Sequence, residues 1–180
     1  MSRRRMDRVL GALVPIALSA VLLTSCGSGM PSYGEVGSRA PEYGAKTVDG
    51  DSITLASLEG APVLLNIWAT WCPPCRKEMP DLQELHERYS PAGLQVVGVS
   101  IDAGHADEDV VEFLEEYGVT YTILRDPTDR ISSVFMAQGV PVTLLIGADG
   151  TVLWRRLGPV TAEDEGLRSA LARALPEAEI

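Results

Sequence analysis

Two cysteines, Cys72 and Cys75, stand three positions apart within Trp68-Ala69-Thr70-Trp71-Cys72-Pro73-Pro74-Cys75-Arg76-Lys77-Glu78-Met79-Pro80. Thiols at this spacing can exchange electrons through a reversible disulfide, contribute half of a zinc site, or carry haem when a histidine follows. Haem attachment fails because Arg76 occupies the histidine position. Zinc would need further ligands, yet the only other cysteine is Cys26, and His86 and His105 lack ligand spacing to it or to each other. A purely structural disulfide would close a very short loop and contribute little, because the entropic benefit grows with loop length. Redox exchange is the chemistry that remains, with no metal and no cofactor beyond the Cys72–Cys75 pair itself.

The surrounding elements assign a role to each thiol. Val63, Leu64, Leu65, Ile67 and Trp68 form a short apolar run interrupted only by Asn66, which suits a strand buried on both faces. Pro73 and Pro74 suit the first turn of a helix, where backbone N–H groups have no intrahelical partner. Cys72 therefore falls at a helix N-terminus, a position that can lower a thiol pKa from about 8.5 into the range of roughly 3.5–7.5. Cys72 is the expected nucleophile, and Cys75, one turn further in, is the expected resolving thiol. The helix is expected to reach about Tyr89, with Met79, Leu82, Leu85 and Tyr89 facing inward and Pro80 kinking it. Glu78, three positions after Cys75, lies on roughly the same side and could carry its proton.

Further along, Leu94–Ile101 reads as a parallel strand, and residues 107–117 as an acidic helix with Val110, Val111, Phe113, Leu114 and Tyr117 inward. A short strand at Tyr121–Leu124 and a helix from Asp129 to about Met136 follow. Gly139-Val140-Pro141 leads into the strand Val142–Ile146, an unusual place for a proline unless its missing N–H is an advantage. Ala148-Asp149-Gly150-Thr151 is a hairpin turn into Val152–Arg155. The segment Thr161–Asp164 can cap a last helix bearing Leu167, Leu171 and Leu175, which Pro176 helps to end. With a small hairpin around Asp49-Gly50 at the start, the whole is a three-layer α/β domain with a central mixed β-sheet and helices on both faces.

The chain resembles the TlpA/ResA-like thioredoxins, membrane-anchored bacterial thiol-disulfide oxidoreductases, from about Ala40 to Leu175. The resemblance rests on Leu65–Cys75, on Glu78-Met79-Pro80, and on Gly139-Val140-Pro141-Val142-Thr143. It implies a thioredoxin fold with an N-terminal β-hairpin extension and a central αβ insertion. It also implies a cis Val140–Pro141 bond beside the cysteines, leaving the Val140 backbone open to an extended substrate peptide, and a modulating role for Glu78. Asn66 stands where ordinary thioredoxins carry a buried aspartate, which makes Glu78 the better proton carrier. Trp71, Pro73, Pro74, Val140 and Pro141 are the expected substrate-facing residues, whereas Trp68 belongs to the core and His86 has no catalytic part.

Residues 3–8 carry four arginines ahead of an apolar stretch, Val9 to Leu23, that contains Pro15 and is short for a membrane span; this has the shape of an export signal. Leu23-Thr24-Ser25-Cys26 resembles a lipobox, so residues 1–25 are expected to be a lipoprotein signal peptide and Cys26 the lipid anchor. Residues 26–38, rich in Gly, Ser and Pro, read as a flexible tether, and residues 39–180 as the thioredoxin-like domain. Loss of residues 1–25 removes four arginines and one aspartate, taking the formal charge from −10 to −13. So acidic a body repels phosphate backbones and argues against nucleic-acid binding.

These readings converge on an extracytoplasmic oxidoreductase at the cell membrane that reduces disulfides in exported proteins. By the resemblance, its substrates include apocytochrome c and its electrons come from a membrane thiol-disulfide carrier; a monomer is expected. A disulfide donor that oxidises exported proteins is the alternative within the same chemistry. A Cu(I)-binding module lacks a nearby His or Met ligand. A thiol peroxidase lacks the P-x-x-x-T-x-x-C pattern upstream of Cys72.

Overall fold

The computed structural model describes residues 34–104 and 107–175. Seven strands form one mixed sheet: β1 (Gly44–Thr47), β2 (Ser52–Thr54), β3 (Val63–Trp68), β4 (Gln95–Ser100), β5 (Thr122–Arg125), β6 (Val142–Ile146) and β7 (Val152–Leu157). Their order across the sheet is β2-β1-β5-β4-β3-β6-β7. Strand β3 pairs parallel with β4 and antiparallel with β6, so it lies inside the sheet, and all six of its residues are buried. The near-continuous apolar run is the cause: with both faces covered, alternation has no advantage.

Four helices, α1 (Pro73–Tyr89), α2 (Asp107–Glu116), α3 (Arg130–Val134) and α4 (Glu165–Ala174), cover the sheet unequally. Alternate side chains of β3 point to opposite faces. Leu64 and Trp68 pack with α1, α2 and α4 through Met79, Leu82, Phe113, Leu167 and Leu171. Leu65 and Ile67 pack on the other face with Ile131, Phe135 and Tyr43. Gly98 on β4 makes room for this packing, because a Cβ there would lie 2.9 Å from the Trp68 indole nitrogen and 2.8 Å from Ile123. Among the described residues no helix is long and apolar enough to cross a membrane.

Several local expectations need correction. Val111 is 41% exposed, because a ten-residue helix turns only a narrow stripe inward and Val110, Phe113 and Leu114 fill it. Helix α3 is shorter than the expected Asp129–Met136 span, since both of those residues adopt positive φ, 52° and 49°, outside the helical region. Within the expected capping segment Thr161–Asp164 the cap is Asp164, its carboxylate accepting the Leu167 N–H at 2.9 Å. Gly37 donates to the Val152 carbonyl and Val152 to the Ser38 carbonyl, both at 2.8 Å, so the last residues of the expected tether are tied to β7. The expected signal peptide, Cys26, the tether up to residue 33, His105 and Pro176 lie outside the described residues.

Candidate active site

Strand β3 ends at Trp68, and four residues later Cys72 is the N-cap of α1. Its sulfur accepts the Cys75 backbone N–H at 3.2 Å, one of the donors that a helix start leaves without an intrahelical partner. Pro73 and Pro74 occupy the first two helical positions and forfeit no hydrogen bond there. Cys72 and Cys75 are joined as a disulfide with Cα atoms 5.3 Å apart. Cys75 is fully buried and Cys72 is 3% exposed, so the pair is reached from the Cys72 side. Trp71, next to it, is 65% exposed.

The Val140–Pro141 peptide bond is cis, and the Val140 carbonyl oxygen lies 3.6 Å from the Cys72 sulfur. Residues some seventy positions apart in sequence thus meet because β6, which Pro141 precedes, pairs with β3. Pro73 is exposed, Pro74 and Val140 are half-buried, and Pro141 is buried. A cleft of ≈ 750 Å³ runs elsewhere, along β1 and β2, lined by Tyr43, Ile53 and Leu55 and by none of these residues.

Glu78 is buried, 1% exposed, on the inner side of α1. One carboxylate oxygen accepts from the Asn66 amide at 2.8 Å and the other from the Val160 backbone N–H at 2.9 Å. The Asn66 amide also donates to the Thr143 hydroxyl at 2.9 Å, while its carbonyl oxygen has no partner among the described residues. Burial is the largest influence on Glu78 and opposes its charge; the two hydrogen bonds restrain that effect, and the pKa is pushed up to about 7. A carboxyl group that is half protonated near neutrality can both take and return a proton. Among the described residues no three His, Cys, Asp or Glu side chains cluster as metal ligands would.

The structure thus brings Val140 to the Cys72–Cys75 pair, with Trp71 and Pro73 exposed beside Cys72, Pro74 and Val140 half-buried, and Cys75, Pro141 and Glu78 buried. Sequence reasoning missed the part played by Thr143 and the Val160 backbone in holding Glu78. It also missed Asp102, a buried carboxylate that binds Thr70 in the loop before Cys72. Asn66, the single polar residue in an apolar strand, was the available signal for the first; the second had none, since nothing in the Ser100–Asp102 stretch marks a contact with residue 70.

A dithiol-disulfide pair at a helix N-terminus, facing a cis-proline loop on a mixed sheet, defines a thioredoxin-fold thiol-disulfide oxidoreductase. Residues 36–155 match the AhpC/TSA family, and the chain belongs to that family. It is 33% identical over 129 residues to the thiol-disulfide oxidoreductase ResA of Bacillus thuringiensis (strain Al Hakam), spanning 72% of this chain and 73% of that protein. Among solved structures it is similar to a Chlorobium tepidum protein assigned as the thiol:disulfide interchange protein DsbE, with TM-score 0.71, 30% identity, and 78% and 98% of the two chains covered. A secreted thiol-disulfide isomerase of Corynebacterium glutamicum is also similar, with TM-score 0.65, 26% identity, and 76% and 83% covered.

Proposed function

We propose that this oxidoreductase works as a reductant of disulfides in exported proteins, held at the outer face of the cell membrane by a lipid on Cys26. The observation that carries the exchange chemistry is the Cys72–Cys75 pair at the start of α1, with the buried acid Glu78 three residues beyond Cys75; the reductive direction is taken from the resemblance to the TlpA/ResA-like thioredoxins. In the reduced protein the Cys72 thiolate attacks one sulfur of a substrate disulfide, and the other substrate sulfur leaves as a thiolate. Cys75 gives its proton to Glu78 and attacks the Cys72 sulfur, which releases the second substrate sulfur and closes the Cys72–Cys75 disulfide. Two electrons pass to the substrate and no cofactor takes part. Trp71, Pro73, Pro74, Val140 and Pro141 form the surface on which an extended substrate chain lies beside Cys72.

A signal peptide over residues 1–25 and a lipid on Cys26 account for the Arg-rich start and the Leu23–Cys26 sequence, and the secreted relative from Corynebacterium glutamicum fits that setting. The protein acts as a monomer, a membrane thiol-disulfide carrier returns its electrons, and apocytochrome c is the favoured substrate because its C-x-x-C-H pairs must be reduced before haem attachment. The test mixes reduced protein with an equal amount of an oxidised C-x-x-C-H peptide and assigns the disulfides by mass spectrometry after acid quenching. Peptide thiols together with a Cys72–Cys75 disulfide are expected. A peptide that stays oxidised, while oxidised protein oxidises the reduced peptide, would reverse the proposed direction.

A further inference from the structure

We infer that Asp102 is a positioning residue for the attacking thiol: by clamping Thr70 it fixes the loop that presents Cys72 at the start of α1. The inference rests on the proposed assignment of Cys72 as the attacking sulfur. Only four residues separate the end of β3 from α1, and Trp71 cannot anchor them because it is largely exposed. Backbone contacts hold the two ends of this turn, Ile101 N–H to the Trp68 carbonyl at 2.9 Å and Cys72 N–H to the Ala69 carbonyl at 3.3 Å. Its middle is held chiefly by one carboxylate, with Arg76 of α1 adding a longer contact to the Thr70 carbonyl at 3.5 Å. Asp102 accepts the Thr70 N–H at 3.1 Å on each oxygen and the Thr70 hydroxyl at 2.6 Å.

Asp102 is itself 2% exposed and fixed from behind. The Ser100 hydroxyl donates to it at 2.8 Å, and that hydroxyl accepts in turn from the Arg125 guanidinium. Arg125 also donates to the Asp102 backbone carbonyl at 3.3 Å and pairs with Asp107 of α2 at 2.8 Å. Hydrogen bonds to an ionised, buried acceptor are about twice as strong as neutral ones. The chain of contacts therefore runs from α2 through β5 and the end of β4 to a residue two positions before Cys72. While the disulfide is closed, the bond to Cys75 also fixes Cys72. Once it opens, the Thr70 clamp becomes the main polar restraint on the loop, so its influence falls on the reduced protein.

Sign separates positioning from simple charge. Asp102 is an anion, and removing an anion near a thiolate stabilises the thiolate. Removing a clamp that aims Cys72 at the helix start destabilises it. The other charged groups around the loop, Arg76 and Glu78 of α1, Arg125 of β5, and Asp107 and Glu116 of α2, are common to all variants compared. Alkylation of the reduced protein is followed against pH, with the modified cysteine assigned by mass spectrometry. Asp102→Ala is expected to move the Cys72 profile up by about one pH unit and to shift the disulfide equilibrium about tenfold toward the oxidised form, equivalent to about 30 mV. Asp102→Asn keeps an acceptor for Thr70 without the charge and is expected to restore most of the wild-type profile. Thr70→Val keeps the N–H but loses the hydroxyl, and is expected to shift the profile upward by less; it carries the test if Asp102→Ala does not fold. An Asp102→Ala or Thr70→Val profile that is unshifted, or shifted downward, in a folded protein would overturn the inference alone. Wild-type protein alkylated first at Cys75 would overturn the assignment of Cys72 and the inference with it.

Discussion

A Cys75→Ser variant, reduced and mixed with a disulfide-bonded peptide, is expected to accumulate as a mixed disulfide through Cys72, while Cys72→Ser accumulates none. The asymmetry follows from where the two sulfurs sit. Cys72 is the N-cap, with its sulfur against the Val140 carbonyl and the exposed rim, whereas Cys75 is wholly buried one turn inside α1. A substrate disulfide can therefore reach Cys72 and not Cys75. Without Cys72 the nucleophile is gone, and the exchange rate falls by at least about a thousandfold, in line with the loss of other catalytic nucleophiles. Without Cys75 the first step proceeds and the second cannot, so the covalent intermediate persists. Mass spectrometry of the quenched mixture reads both outcomes. Equal trapping by either single-serine variant would show that the two thiols are interchangeable, which the burial pattern does not allow.

The second large effect is on stability against pH and belongs to Glu78. Its ordinary pKa of 4.5 is pushed up to about 7 in the folded protein, mainly by burial. Between pH 4.5 and about 7 the folded chain keeps a proton that the unfolded chain has released, so raising the pH across that window favours unfolding. The contribution is fully present below the unfolded pKa and is lost as pH passes the folded one. A shift of this size corresponds to about 3 kcal/mol. Glu78→Gln removes the titration. Urea unfolding of both proteins from pH 4 to pH 8 is expected to show the wild type losing about 3 kcal/mol relative to the variant over that range. Other titrating groups cancel in the difference. A difference that stayed constant with pH would place Glu78 in contact with water and remove its role as a proton carrier. In the variant the amide can still accept from Val160, and the Asn66 carbonyl oxygen, without a partner among the described residues, can turn to accept from the new amide N–H.

Much of this site was legible because it is local. The strand Val63–Trp68, the two prolines and the cysteine spacing specify a buried strand delivering a thiol to a helix start, and each acts within a few residues of the next. The meeting of Cys72 with Val140–Pro141 was legible only through resemblance, since no periodicity announces that β6 pairs with β3. Burial of Glu78 was less accessible still. A carboxylate three positions after a cysteine lies equally well on a wet helix face, and only the assembled sheet, with Asn66, Thr143 and the Val160 backbone around it, removes the water. Asp102 lay beyond sequence reasoning for a similar reason: its partner Thr70 is reached across two parallel strands. The misplaced ends of α3 reflect the positive-φ residues Asp129 and Met136, which propensity does not resolve.

The most direct test of the reductant reading is the equilibrium reduction potential of the Cys72–Cys75 couple, measured against a glutathione or dithiothreitol series with the redox state read by mass spectrometry. A value at or below about −200 mV, on the reducing side of strong oxidants near about −120 mV, is predicted. A value near that of the strong oxidants would contradict it and make the protein a disulfide donor.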